Sequence, residues 1–192
     1  MKKTAILFLS VLLFSVSCSK DDDGQATEQE SAALVGTWDM KKNESENMEI
    51  TSAVQGGEIS FSQNYYSEKM DYQVIFNENQ TVTSGGSFDQ VTTTTFAGQA
   101  STSTFKVDTG TDGKGFFSGN YDQKDGHLVI VDARGETTTN AKIISLEGNT
   151  MILQLDLSQA TDLYELGDNV TQIGSGVTVT GTATVELEKR KL

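Results

Sequence analysis

The chain has 192 residues, a formal net charge of −13, no proline, eighteen glycines, one cysteine and one histidine. An acidic chain repels phosphate backbones and anionic lipid surfaces, which argues against nucleic acid as a partner. One cysteine permits no internal disulfide and no cysteine-built zinc cluster, and one histidine permits no three-histidine metal centre.

Lys2 and Lys3 form a short positive segment, followed by Ala5 to Phe14, apolar except for Ser10. That apolar run is about half of the roughly 20 residues needed to cross a bilayer. It ends in Ser15-Val16-Ser17-Cys18. A short apolar stretch behind lysines, closing on small residues, reads as a removable secretory signal rather than a membrane helix. Small residues immediately before a cysteine suit a lipoprotein signal peptidase, which leaves the acylated cysteine as the new N-terminus. Residues 1–23 resemble the lipoprotein signals of Gram-negative bacteria, in particular of the Bacteroidetes group, with Ser15 standing where the usual box has an aliphatic residue. Ser19-Lys20-Asp21-Asp22-Asp23 is similar to the lysine-plus-acid run that sends such lipoproteins to the outer face of the outer membrane. The resemblance implies lipid attachment at Cys18, an export signal in Lys20, Asp21, Asp22 and Asp23, and display at the cell surface. It also implies several acyl chains, palmitate among them, since one chain anchors only marginally. Lys2 and Lys3 would leave with the signal, so the mature protein is more acidic still.

Residues 18–33 read as a lipidated polar tether and residues 34–192 as one domain, a length ample for a single core. From Leu34 onward the chain alternates apolar and polar residues with period two, the pattern of half-buried strands. Leu34 to Met40 carries Leu34, Trp38 and Met40 in phase, and Tyr72, Val74 and Phe76 repeat the pattern. Phe116 to Tyr121, Leu128 to Val131 and Lys142 to Leu146 are further strands. The clearest are Met151 to Leu157 and Val177 to Leu187, where a one-residue slip would invert every side chain. Asp125-Gly126 is a type I′ hairpin signal, and Asn77-Glu78-Asn79 and Gly148-Asn149 mark two more turns. Glu44 to Gln55 and Gln159 to Gly167 have no clear period. Eight to ten short antiparallel strands must close into a barrel or stack as a sandwich, because exposed edges invite aggregation. Periodicity alone leaves both open.

Leu34-Val35-Gly36-Thr37-Trp38 resembles the opening strand of lipocalin-like domains, which carry a glycine, a spacer and a tryptophan. Tyr72 to Val82, Gly119-Asn120-Tyr121 and the Lys142 to Leu157 hairpin are similar to that group as well. The resemblance implies an antiparallel up-and-down barrel of about eight strands, with a β-sandwich as the alternative. It implies that Trp38 packs one end of the barrel beneath Arg190. The plainer reading makes Trp38 a core residue and Arg190 a solvated charge.

No constellation for catalysis emerges. His127 comes just after the Asp125-Gly126 turn and has no cysteine partner, so the chain is expected not to be an enzyme and to need no cofactor and no metal. Asp108-Thr109-Gly110-Thr111-Asp112-Gly113 faintly resembles a calcium loop but lacks ligands at its third and twelfth positions. The remaining feature is geometric. An eight-stranded barrel either is filled completely by its own side chains or just holds one small ligand, and Phe76, Phe96, Phe105, Phe117, Met151, Leu153 and Leu155 are candidates to line such a cavity. Two functions are expected on this basis. In one, the barrel binds a small hydrophobic or amphipathic ligand. In the other, its outer surface docks an envelope protein or a glycan. In both, the membrane is met only through the N-terminal lipid.

Overall fold

The computed structural model describes residues 33–110, 115–132, 135, 137–158 and 177–191. Nine antiparallel strands run through them in chain order: β1 (Gly36–Val54), β2 (Gly57–Phe76), β3 (Thr81–Phe96), β4 (Gln99–Asp108), β5 (Gly119–Lys124), β6 (His127–Val131), β7 (Thr137–Glu147), β8 (Thr150–Asp156) and β9 (Val177–Lys189). They hydrogen-bond in the order β2-β1-β9-β8-β7-β6-β5-β3-β4, and β2 also pairs with β3, so the sheet closes on itself. The architecture is all-β and barrel-like, as the alternating pattern requires. The sandwich alternative is thereby set aside.

The ring is uneven for a specific reason. One edge of β3 meets two strands end to end. Ser87 to Phe96 pairs with β4, while Thr81 and Val82 pair with Asn120 and Gly119 of β5. Between them the chain keeps contact with the same edge: Gly86 donates to the Gly110 carbonyl and Gly115 donates to that of Ser84. β4 and β5 therefore act as two halves of one stave, and the barrel has eight staves built from nine strands. Closure through β5 rests on only two residue pairs.

β1, β2 and β3 outrun the ring, so their far ends form a ribbon with β4 and the start of β9. β1 and β2 bend at bulges along that length. β1 slips register against β9 between Met40 and Lys42 and again between Glu46 and Glu49, with Asn47 at φ 52°. β2 slips against β3 between Glu68 and Asp71, with Lys69 at φ 49°. A bulge adds a residue, bends the strand and flips the phase of the residues beyond it. On β1 the buried residues are thus Trp38 and Met40, then Asn43 and Ser45, then Met48 and Ile50. Opposite the β2 bulge, Gly86 has φ +127°, and a Cβ there would lie 2.0 Å from the Asp71 carbonyl oxygen. Only glycine lets the two backbones approach so closely.

One continuous core runs from the end of the barrel that holds Trp38 to Met48, Ile50 and Val179 in the ribbon, and it is most fully buried at the Trp38 end. Leu34, Trp38, Val74, Phe76, Val82, Leu128, Ile130, Met151, Leu153 and Leu187 are all fully buried there. Phe76 and Tyr121 meet edge to face with ring centroids 5.0 Å apart, a favoured aromatic geometry.

Candidate functional site

The two ends of the barrel differ in chemistry. At the Trp38 end the interior is closed and apolar but for the buried Gln123. Trp38 is 0% exposed, and its indole N–H donates to the Leu34 carbonyl at 2.7 Å. The cation over its ring is Lys189, with Nζ 5.3 Å from the centroid. Arg190, which the family resemblance placed there, instead directs its Nε to Asp39 at 2.8 Å. The shift of one residue comes from strand alternation. Lys189 is the β9 partner of Trp38, so the two lie side by side, whereas Arg190 leaves the sheet and donates its backbone N–H to Thr37.

Above that core lies a polar knot. The Tyr72 hydroxyl accepts from the Phe116 backbone N–H at 2.8 Å and shares a 3.0 Å bond with Ser84 Oγ. Ser84 Oγ accepts in turn from the Phe117 N–H at 2.9 Å. The ring of Tyr72 stacks on Phe116 and meets Phe88 edge to face. Gly115 makes this possible, because a Cβ on it would sit 2.1 Å from the Tyr72 hydroxyl and 2.8 Å from the Ser84 carbonyl. The knot ties the chain between β4 and β5 onto the barrel wall. Burial raises the Tyr72 phenol above its ordinary pKa, with the bonds to Ser84 and Phe116 opposing the shift.

Beyond the knot the interior wall changes character. β3 runs without a register break against β4, so Phe88, Gln90 and Thr92 face the same side, inward. Ser67 lies directly opposite Gln90, and Tyr65 directly opposite Thr92. Asn43 and Ser45 on β1 face the same interior, beside the buried Val185 and Ala183 of β9. Ser45 Oγ accepts from the Tyr65 N–H at 2.8 Å. Gln90 and Thr92 are each 5% exposed. Gln90 Oε1, Thr92 Oγ1 and Ser67 Oγ are buried and make no hydrogen bond. Buried polar atoms are normally paired, and leaving one unpaired costs about 1–3 kcal/mol. Three such atoms on one patch of adjacent strands are therefore the most unusual feature of the interior. Across from them, Phe105 of β4 pairs with Gln90, and Val107 pairs with Phe88.

The patch carries no charge. Among the described residues, every buried polar side chain is Asn, Ser, Gln or Thr. Burial pushes the Tyr65 phenol well above its ordinary pKa, so it stays a neutral hydroxyl at physiological pH. The charged side chains lie outside. Lys69 pairs with Asp89 at 2.6 Å and Lys106 with Asp108 at 3.4 Å. The Asp108 carboxyl is held below its usual range by the Gly110 N–H and by Lys106. Among the described residues no three His, Cys, Asp or Glu side chains come together as a metal site. His127 turns its Nδ1 to the Asp125 carbonyl, 3.1 Å away in the exposed hairpin turn.

The seven proposed lining residues separate. Phe76, Phe117, Met151, Leu153 and Leu155 belong to the buried core, and Phe105 packs against it. Phe96 lies on the same face of β3 as Thr92 but lines no interior: it is 53% exposed at the β3–β4 turn, beyond the end of the ring. The polar members Ser67, Gln90 and Thr92 were not anticipated from the sequence. Cys18, Lys20, Asp21, Asp22 and Asp23 lie outside the described residues, as does the Gln159 to Gly167 stretch. Among the described residues no helix is long and apolar enough to cross a membrane. No protein-family model, curated protein or solved structure matches the chain.

Proposed function

We propose that the protein is a lipid-anchored, surface-displayed outer-membrane protein whose lipocalin-like barrel takes up a small amphipathic ligand, and that it performs no catalysis. The observation that carries this reading is the division of the interior. One end is packed apolar around Trp38. The other buries unpaired neutral polar groups among its apolar side chains, beside Phe105 and Val107. Ligand sites combine apolar lining with a few placed polar groups, and this interior has both. The lipid anchor rests on the signal-like residues 1–17 and on Cys18.

The test uses the full chain, reconstituted in lipid nanodiscs and then unfolded in urea and extracted. A molecule recovered in stoichiometric amount with the protein, and not from empty discs, supports uptake. Extracts identical to those of empty discs, with no retention of an added hydrophobic probe, overturn it. For the anchor, Cys18→Ala should abolish incorporation of labelled palmitate and move the protein out of the outer-membrane fraction.

A second reading has an observation of its own. Val54, Ile59 and Phe96 are exposed near the β1–β2 and β3–β4 turns, at the same far end of the ribbon. Exposed apolar side chains on an acidic surface suit docking to an envelope protein or glycan. Substituting all three by serine would then abolish recovery of a cross-linked partner from intact cells while leaving ligand uptake unchanged.

A further inference from the structure

The geometry points to the kind of headgroup the barrel selects: an uncharged, hydroxyl-bearing one, seated on Ser67, Gln90 and Thr92 with its hydrocarbon toward Phe105. This inference rests on the uptake reading above and adds a specificity to it. The patch offers one amide oxygen, which only accepts, and two hydroxyls, which donate or accept. A ligand that satisfies all three must bring at least one hydrogen-bond donor, for Gln90 Oε1, together with oxygens for the two hydroxyls, as a glycerol or other polyol head does.

A carboxylate fits badly for two reasons. It can accept from the Ser67 and Thr92 hydroxyls but has no proton to give to Gln90 Oε1, whose partial negative charge repels it. It also meets no buried cation, since the buried polar side chains among the described residues are all neutral. An unpaired ionised group is far costlier to bury than a hydroxyl. The net charge of −13 adds repulsion at longer range. The register supplies the shape: Ser67 and Gln90 are directly paired across β2 and β3, and Thr92 is the next inward residue on β3. Directly paired residues hold their Cβ atoms about 5 Å apart, a span that two neighbouring hydroxyls of one polyol bridge.

The experiment compares 1-monooctanoylglycerol with octanoate at neutral pH, both radiolabelled, on the full chain in nanodiscs with empty discs subtracted. The glyceride is expected to bind roughly tenfold or more tightly than octanoate. Thr92→Val and Gln90→Leu should each weaken glyceride binding by about three- to tenfold, the loss of one hydrogen bond. Thr92→Ser, which keeps the hydroxyl, should bind as the parent does. Thermal melts confirm that each variant is folded. Equal retention of the two probes, preference for octanoate, or variants that bind the glyceride unchanged would overturn the headgroup assignment while leaving uptake standing. Retention of neither probe would overturn both.

Discussion

Two hydroxyls on β3 should respond to removal with opposite signs. Thr92 Oγ1 is buried without a hydrogen bond, so it carries the cost of desolvation and gains nothing in return. Replacing it by the near-isosteric valine removes that cost and adds a buried methyl. Thr92→Val should therefore stabilise the ligand-free protein by about 1–2 kcal/mol. For a chain of this length that is a rise in Tm of about 2–8 °C. Ser84 Oγ, by contrast, bonds the Phe117 N–H and the Tyr72 hydroxyl, both in the interior. Ser84→Ala strands a buried N–H and should destabilise by about 2 kcal/mol, a fall of about 4–8 °C. Urea unfolding monitored by fluorescence reads both changes, since Trp38 is the only tryptophan and lies in the core. The midpoint should move while the slope stays constant. A Thr92→Val variant that loses more than about 1 kcal/mol would refute the reasoning, because it would mean the hydroxyl is satisfied in the native state.

Trp38→Ala should cost about 3–5 kcal/mol, the usual loss for a fully buried large aromatic, and an unchanged melting temperature would remove Trp38 from the core. Gly115→Ala places a methyl against the Tyr72 hydroxyl and the Ser84 carbonyl and should destabilise by about 3 kcal/mol. Tyr72→Phe in the same background should recover part of that loss in a double-mutant cycle. Stability should also fall in alkali. Burial raises the Tyr65 pKa in the folded state above the unfolded value of 10.0, so its contribution is complete below that value and is lost as pH rises past it. Urea midpoints measured from about pH 9 to about pH 11 should fall less steeply for Tyr65→Phe than for the parent, and parallel slopes would contradict the burial argument.

Much of β8 and β9 is visible in the sequence because there burial and alternation agree. Met151, Leu153 and Leu155 on β8, and Val179, Ala183, Val185 and Leu187 on β9, all face inward as their period requires. The turns at Asn77, Asp125-Gly126 and Gly148-Asn149 are also local features, set by residues that tolerate turn backbone conformations. The ribbon and the candidate site are not local in this sense. Glu44 to Gln55 has no visible period because a bulge between Glu46 and Glu49 changes the phase of β1 and because the inward residues there include the polar Ser45. The Thr81 to Phe96 strand hides its inner face in the same way: Ser84, Gln90 and Thr92 point inward, and a polar residue turned inward looks in sequence like one turned out. Which cation covers Trp38 likewise depended on β1–β9 register, which chose Lys189 over Arg190. By itself, then, the sequence determined the strand-rich class, the turns and the apolar core, since each is set by neighbours along the chain. The joining of β4 and β5 into one stave and the gathering of Ser67, Gln90 and Thr92 emerge only in the folded barrel, because they depend on pairing between strands distant in sequence.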